Sequence, residues 1–523
     1  MQLTRSLLRA QHTFGARACL IFGDRRWTWD EHVSRIARLA GALQGLGVKA
    51  GDRVAILSHS SDRYIEVAYA ILWSGAVLVP LSTRATDAEL ADTLADSDAA
   101  VLFLGDGFAP TLPTLLPASR DLAHVIYAGE APCPPGLLDY EGLIADRAPA
   151  PRAERGGSDL AAIFYTGGTT GRAKGVMLSH ANLYANAVHA LAQYRYDERT
   201  VYLHAGPLYH LAAGSRIFTT AIAGATHVVI PRFSVDDVIS AIETHKVTMT
   251  ALVPTMMSML AEHPRFATAD LSSLDLITYG ASPMPEALIA DLLRRLPHVR
   301  FGQAYGMTEL SPACTYLEPR HHSLAPQLRH LLRSAGRPAL GVDVRIVDPQ
   351  DRDVPNGTVG EIIVAGPVVM LGYWKLPELT AQALRGGYMH TGDLGYRDRD
   401  GFVFVVDRLK DMIVSGGENV YSAEVEDAIR KHPAVAMCAV IGVPHPRWGE
   451  AVHAVVVPGA GASVSQDDII AHCRTLISGY KVPRSVEFRA AMPLSAANKI
   501  LKTELRKPFW EGTANHGQTR NVG

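Results

Sequence analysis

Apolar residues recur along the chain in two alternating rhythms. Val33, Ile36, Ala40, Leu43 and Leu46 fall at the spacing of one buried helix face. Thr28 followed by Glu31 forms a capping box ahead of them, and Gly47 marks the stop. "RVAILSH" then loses that period and reads as a buried strand, "DRYIEVAYAILWSG" returns to it as a helix, and "AVLVPLS" is the next strand. The same alternation comes back as a helix over 235–242 and a strand in "VTMTALVP". Strands and helices taking turns in this way predict an α/β architecture. The least structured segments are expected at 108–117, at 148–157 and beyond Pro508.

The pattern changes near "DRLKDMIVSGGENV". Past it come a helix over 423–431, strands in "VAMCAVIGV" and "AVHAVVVP", a helix over 467–477 and a strand in "SVEFR". That set suffices for a compact α+β domain. The expected division is therefore a large domain over 1–409 and a smaller one over 410–523, with the boundary at Lys410. No short-period repeat or low-complexity tract interrupts either part.

Composition narrows the function classes. The chain has 523 residues, 48% of them apolar and 20% charged, with a formal net charge of −2. Those values are ordinary for a soluble globular protein and give no electrostatic reason for nucleic acid or an anionic membrane as partner. Cys19, Cys133, Cys314, Cys438 and Cys473 lie far apart and form no CxxC pair, so neither a disulfide framework nor a zinc site is indicated. A reducing cytoplasm is the expected home. "MQLTRSLLRAQHTF" breaks its apolar residues with Arg5 and Arg9, unlike a signal peptide. "IFTTAIAGATHVVIP" is too short and too rich in threonine to span a bilayer.

The chemistry concentrates first in "YTGGTTGRAKG", residues 165–175. Glycine backbone can wrap anionic oxygens, threonine hydroxyls add donors and Lys174 adds a point charge, so the string suits a polyphosphate. It is no P-loop, because Ala173 precedes Lys174 and Gly175 follows it. The Rossmann pattern G-x-G-x-x-G is also missing. Nor is "YGASPMP", residues 279–285, a nucleophile elbow, since Met284 fills the position of the second glycine.

The complete string resembles the ATP phosphate loop of the AMP-forming acyl- and aryl-CoA synthetases, the adenylating family that also holds firefly luciferase and peptide-synthetase adenylation domains. Gly167 stands where that family often has serine, and Ala173 where it often has proline. Six further strings follow in the family's order: "YGASPMP", "YGMTE", "TGDLG", "DRLKD", "SGGENVYSAEVE" and "MPLSAANKILKTELR". Within the family, the resemblance is nearest to fatty-acyl- and 4-coumarate-CoA-ligase-like members. It implies α/β layers and a distorted barrel in the large N-terminal domain, followed by a small mobile α+β domain.

The resemblance also implies roles. Thr166, Gly167, Gly168, Thr169, Thr170, Gly171 and Lys174 would hold the ATP phosphates, and Gly280, Ala281, Ser282, Tyr305 and Gly306 the adenine side. Thr308 would bond the α-phosphate, while Glu309 with Thr170 would hold Mg²⁺. Asp393 and Arg408 would take the ribose, and Lys410 would be the hinge. Ser415, Gly416 and Gly417 would line the path of CoA, with Ser422 capping the helix that follows. Lys499, preceded by Asn498 where the family has glycine, would bind the reacting carboxylate and α-phosphate during adenylation. His210 would join Lys499, Thr308 and Glu309 as a catalytic residue, and the acyl pocket would be lined by His210, Ala213, Gly214, Thr255 and Met256, together with Gly280 and Ala281.

What these residues imply is a two-step ligase using ATP, Mg²⁺ and CoA. A carboxylic acid (fatty, branched, cyclic or aryl) becomes acyl-AMP with loss of pyrophosphate, and the acyl group then passes to CoA. "PLYHLAAGSR" carries no acid to grip an α-amino group, and no carrier domain follows, so a free acceptor is expected. Arg216 in that segment reads as a helix-surface arginine rather than as the partner of a second carboxylate. The alternatives are an acyl-AMP ligase or luciferase-like enzyme with another acceptor, and a catalytically silent nucleotide-binding homologue. A monomer or homodimer is expected.

Overall fold

The computed structural model describes residues 1–145, 147–166, 173–459, 461–494 and 500–511. The chain divides into two compact units, one of 1–343 with 364–389 and one of 344–363 with 390–523. The expected boundary at Lys410 thus falls inside the second unit. Residues 344–363 and 390–409 join it because their strands pair with each other in one sheet.

The first unit is built on two large sheets. An eight-stranded sheet is parallel along most of its length; toward one edge it carries the antiparallel pair β1 (Leu160–Thr166) and β2 (Lys174–Ser179), with the short strand Gly372–Tyr373 outermost. Its strands are near-continuous apolar runs, as expected where helices cover both faces. Helix Asp62–Ser74 follows one of them; Ser61 caps its start, Gly75 at φ 87° closes it, and nearly every residue in it is buried. The capping box at Thr28 and Glu31 forms as read, opening helix Trp29–Gly45.

In the nine-stranded sheet, β3 (Val201–His204), β4 (Met249–Ala251), β5 (Leu276–Gly280) and β6 (Arg300–Tyr305) lie side by side and parallel. Helix α1 (Leu211–Ala223) follows β3, and α2 (Pro254–Glu262) follows β4. Leu203, Ile277 and Phe301 from three of these strands enter one core with the helix residues Val238, Ile242 and Leu292.

In the second unit, β7 (Met389–Arg397) and β8 (Val403–Arg408) are antiparallel neighbours in a four-stranded sheet. A separate sheet begins with the hairpin of β9 (Ile413–Ser415) and β10 (Glu418–Val420) and is centred on Val435–His445 and Gly449–Pro458. Helices α3 (Ser422–Arg430) and Gln466–Arg474 pack on it through Val425, Ile429, Ile469 and Cys473.

Segment 108–117 departs from expectation. It holds a 3₁₀ turn at Ala109–Thr111 and helix Leu112–Ala118, with Leu115 fully buried. Pro113 sits in the first turn of that helix, where a missing N–H costs nothing. Segment 148–157 has no regular structure but is pinned, Ala150 N–H donating to the Ala37 carbonyl and Trp73 Nε1 to the Ala150 carbonyl, at 2.9 Å each. All five cysteines are unpaired. No helix among the described residues is long and apolar enough to cross a membrane.

Candidate active site

Four neighbouring parallel strands of the first unit end beside one another, and each end carries residues singled out from sequence. The loop after β3 leads to His210, the N-cap of α1, with Ala213 and Gly214 in the first turn. Thr255 and Met256 stand in the first turn of α2 after β4. Gly280, Ala281 and Ser282 close β5, and Tyr305 closes β6 ahead of Gly306, Thr308 and Glu309. Ligands of open α/β sheets sit beyond the carboxyl ends of their strands, so this row is where a substrate is expected.

The glycines of the row are there for close backbone approach. A Cβ on Gly280 would lie 2.3 Å from the Ala304 carbonyl oxygen, across the register that pairs the two residues. On Gly214 it would lie 2.4 Å from the Leu208 oxygen, and on Gly306 2.3 Å from that of Pro312. Ala281 adopts φ +66°, a left-handed conformation that costs a non-glycine residue about 1 kcal/mol. A strained residue at the end of a strand is characteristic of a binding segment.

Glu309 lies in the 3₁₀ turn Thr308–Leu310 and is only 6% exposed. Tyr373 Oη donates to its Oε1 at 2.9 Å, and Met370 N–H donates to its backbone oxygen at 2.9 Å. Burial, reinforced by the Glu309 charge, pushes the Tyr373 phenol above its ordinary pKa, so it remains a donor. The short strand Gly372–Tyr373 pairs with β2, Tyr373 opposite Val176, and this edge pairing sets the phenol in place. Lys174 Nζ stands 5.6 Å from the centre of the same ring. The lysine of the phosphate loop and the expected metal carboxylate therefore share one aromatic neighbour. Thr166 pairs with Lys174 across the hairpin, holding the ends of the loop together. Gly167, Gly168, Thr169, Thr170 and Gly171 lie outside the described residues.

The second unit holds the other strings. Asp393 on β7 and Arg408 on β8 are cross-strand partners, with Arg408 Nε donating to Asp393 Oδ1 at 2.7 Å. Asp393 is 5% exposed and its backbone N–H donates to Thr391 Oγ1 at 3.0 Å. Lys410 follows β8, and burial lowers its ammonium pKa. Gly416 and Gly417 connect β9 to β10 with φ of 63° and 86°, the two positive values that a type I′ hairpin turn requires. Gly416 N–H donates to the Trp448 carbonyl at 2.9 Å, bringing "RWGE" beside the hairpin.

Ser422 does not cap α3. Tyr421 is the N-cap, and Ser422 is the first helical residue. Its backbone N–H and its hydroxyl both donate to the Asp407 carboxylate, which does the capping from the neighbouring β8. Lys502 Nζ donates to Ser422 Oγ at 2.6 Å and pairs with Glu426 Oε1 at 2.7 Å, completing a buried polar chain. Leu494 and Ile500 bridge as an antiparallel pair, while Lys499 lies outside the described residues.

The comparisons with known proteins agree with this layout. The sequence profile of the AMP-binding enzyme family matches residues 7–374, and that of the AMP-binding enzyme C-terminal domain matches 424–499. The chain belongs to the AMP-binding enzyme family. It is 44% identical to a feruloyl-CoA synthase of Amycolatopsis over 490 residues, 93% of this chain and 95% of that protein. An indoleacetate–CoA ligase of Aromatoleum aromaticum is 35% identical, over 98% of this chain and 100% of its own. The ATP-bound structure of MatB from Rhodopseudomonas palustris superposes with a TM-score of 0.88 at 29% identity, covering 97% of this chain and 99% of that one.

As a member of this family the chain is an acid–thiol ligase that activates a carboxylic acid with ATP and transfers the acyl group to CoA. Mg²⁺ is the metal of such enzymes. One buried carboxylate oriented by a phenol fits Mg²⁺, which binds through one or two carboxylates and takes its other ligands from phosphates and water. Two features of the AMP-binding fold here escape sequence reading. Tyr373 meets Glu309 only through long-range strand pairing. Arg216, read as a surface residue, is instead 4% exposed within α1.

Proposed function

We propose that the acid is an aryl acid, and that the sequence-assigned residues handle it and ATP in two balanced steps. In the first, a carboxylate oxygen attacks the α-phosphorus of ATP, the bond to pyrophosphate breaks and acyl-AMP forms. In the second, the CoA thiolate attacks the acyl carbon, and AMP leaves with the oxygen that the acid supplied. The row of strand ends from His210 to Glu309 supports this reading, because the residues assigned from sequence to acid, adenine and metal fall along one sheet.

Each assigned residue answers one demand of those steps. Two anions must meet in the first, so donors and cations have to absorb the charge. Thr308 and Lys499 take that task at the α-phosphate and carboxylate, and Lys174 serves the leaving phosphates. Glu309 and Thr170 would hold Mg²⁺, which when bound would supply electrostatic stabilisation of phosphate charge. Tyr305 and residues 280–282 receive the adenine, while Asp393 and Arg408 receive the ribose. Lys410 is the hinge between the half-reactions, and residues 415–417 guide CoA. Five unpaired thiols support a reducing, cytoplasmic location.

The aryl assignment draws on the pocket wall and on the relatives. Gly214 and Gly280 present backbone in place of side chains, and Ala213 and Ala281 add only methyl groups. A wall of small residues suits a bulky, ring-bearing acid. The relatives named for feruloyl and indoleacetate act on ring-bearing acids. ATP–pyrophosphate exchange measured with cinnamates, arylacetates and straight-chain fatty acids tests the assignment, together with mass-spectrometric detection of the CoA thioester. Exchange is expected to be fastest with the aryl acids. Exchange confined to the fatty acids would overturn the aryl assignment, and adenylate that never reaches CoA would overturn the acceptor.

A further inference from the structure

Helix α1 carries a buried cation, Arg216, that no carboxylate among the described residues neutralises. Arg216 Nε and Nη1 have no hydrogen-bond partner among the described residues. The groups acting on its charge are the phenols of Tyr194, Tyr196, Tyr202 and Tyr316. Tyr202 shares a side-chain hydrogen bond with the guanidinium. Tyr194 Oη, like the two guanidinium nitrogens, has no partner among the described residues. Tyr194 stands edge-on to Tyr316 at 5.6 Å, and Asn186 Nδ2 donates to Tyr316 Oη at 3.4 Å.

None of these neighbours supplies a negative charge. Burial pushes the Tyr194 and Tyr202 phenols well above their ordinary pKa, so they stay neutral. Burial, with the Arg216 charge, pushes the nearby His204 imidazole down to about 3, so it is neutral as well. The cage therefore combines a full positive charge with donors that lack acceptors, an arrangement that buried polar groups avoid unless something else satisfies them. A buried guanidinium presents its N–H groups as a fixed fork suited to an oxygen acid.

The cage also sits on the helix that carries the expected acyl-pocket residues His210, Ala213 and Gly214 at its start. Arg216 lies six residues beyond His210 on the same helix, about 9 Å of axis, and helical side chains lean back toward the N-terminus. Tyr194 packs on β6, its ring 2.5 Å from where a Cβ on Gly302 would stand, and β6 ends at Tyr305. That span matches a ring with a short arm. A plain hydrocarbon end would leave the charge uncompensated.

Resting on the aryl-acid reading above, we propose that Arg216 is a specificity residue receiving an acidic oxygen, phenolic or carboxylic, at the end of the substrate remote from the reacting carboxyl group. The test measures kcat/KM in ATP–pyrophosphate exchange for cinnamate, 4-hydroxycinnamate and 4-carboxycinnamate with the full-length enzyme. At least one oxygen-bearing acid should exceed cinnamate by on the order of a hundredfold, and the better of the two identifies the oxygen. Arg216→Leu should collapse that ratio toward parity, and Arg216→Lys should keep part of it. Tyr194→Phe, which preserves the ring, should lower the ratio by about tenfold.

Cinnamate used as well as both derivatives, or a preference that survives Arg216→Leu, would overturn the proposal. Should all three acids fail while fatty acids succeed, the aryl reading falls. The same comparison is then made with decanoate and decanedioate: a preference for decanedioate that Arg216→Leu removes supports the role of Arg216, and equal use of the two refutes it.

Discussion

Replacing Lys499 by alanine is expected to reduce acyl-AMP formation by about a thousandfold, the scale seen when a transition-state donor is removed from a water-poor site. Transfer from preformed acyl-AMP to CoA should keep most of its rate. The reason lies in the charge each step must absorb. The first brings a carboxylate against the triphosphate, and a cation at the point of attack offsets that repulsion. In the second, the thiolate meets the uncharged acyl carbon of the adenylate rather than the triphosphate, so the same cation has less repulsion to offset. Single-turnover rates of the two half-reactions check the expectation. Equal loss in both would remove Lys499 from its assigned step.

The second large effect is expected at Glu309. Glu309→Gln keeps the shape and a hydrogen-bond acceptor for Tyr373 but removes the charge, so Mg²⁺-dependent adenylation should fall on the order of a hundredfold. Raising Mg²⁺ should recover part of the loss, because weakened metal binding yields to mass action. Tyr373→Phe leaves the carboxylate charged and removes only its orienting hydroxyl, so a loss of about tenfold is expected. Initial rates of ATP–pyrophosphate exchange across a Mg²⁺ titration separate the two variants. A Glu309→Gln enzyme with unaltered rate and Mg²⁺ dependence would exclude Glu309 as the metal carboxylate.

How much of this was legible beforehand follows from the range of each interaction. The capping box at Thr28 and Glu31, and the helix and strand that follow, depend on neighbours within a few residues, and the sequence shows them directly. The site strings read well for a related reason. Gly306, Gly416 and Gly417 answer local backbone demands, either a carbonyl a few residues on or a positive φ.

Where expectation failed, partners distant in sequence decided the outcome. Segment 108–117 was expected among the least structured, yet burial of Leu115 makes 112–118 helical. Ser422 looked like a cap because serine usually is one, but Asp407 from a neighbouring strand takes that place. Arg216 looked exposed because a charge normally marks the solvent side of a helix. Its helix has no solvent side there: residues 214–221 are all buried, which no single-helix pattern reveals.

The central claim is that the chain joins the acid to AMP before passing it to CoA, and the fate of one oxygen tests it most directly. The enzyme is supplied with ATP, CoA and an aryl acid carrying ¹⁸O in its carboxyl group, and the nucleotide product is weighed by mass spectrometry. The account predicts AMP containing a single ¹⁸O, because the attacking carboxylate oxygen stays on phosphorus when the thiol displaces it. ADP as product, with ¹⁸O released in inorganic phosphate, would mean attack at the γ-phosphorus and would contradict the account.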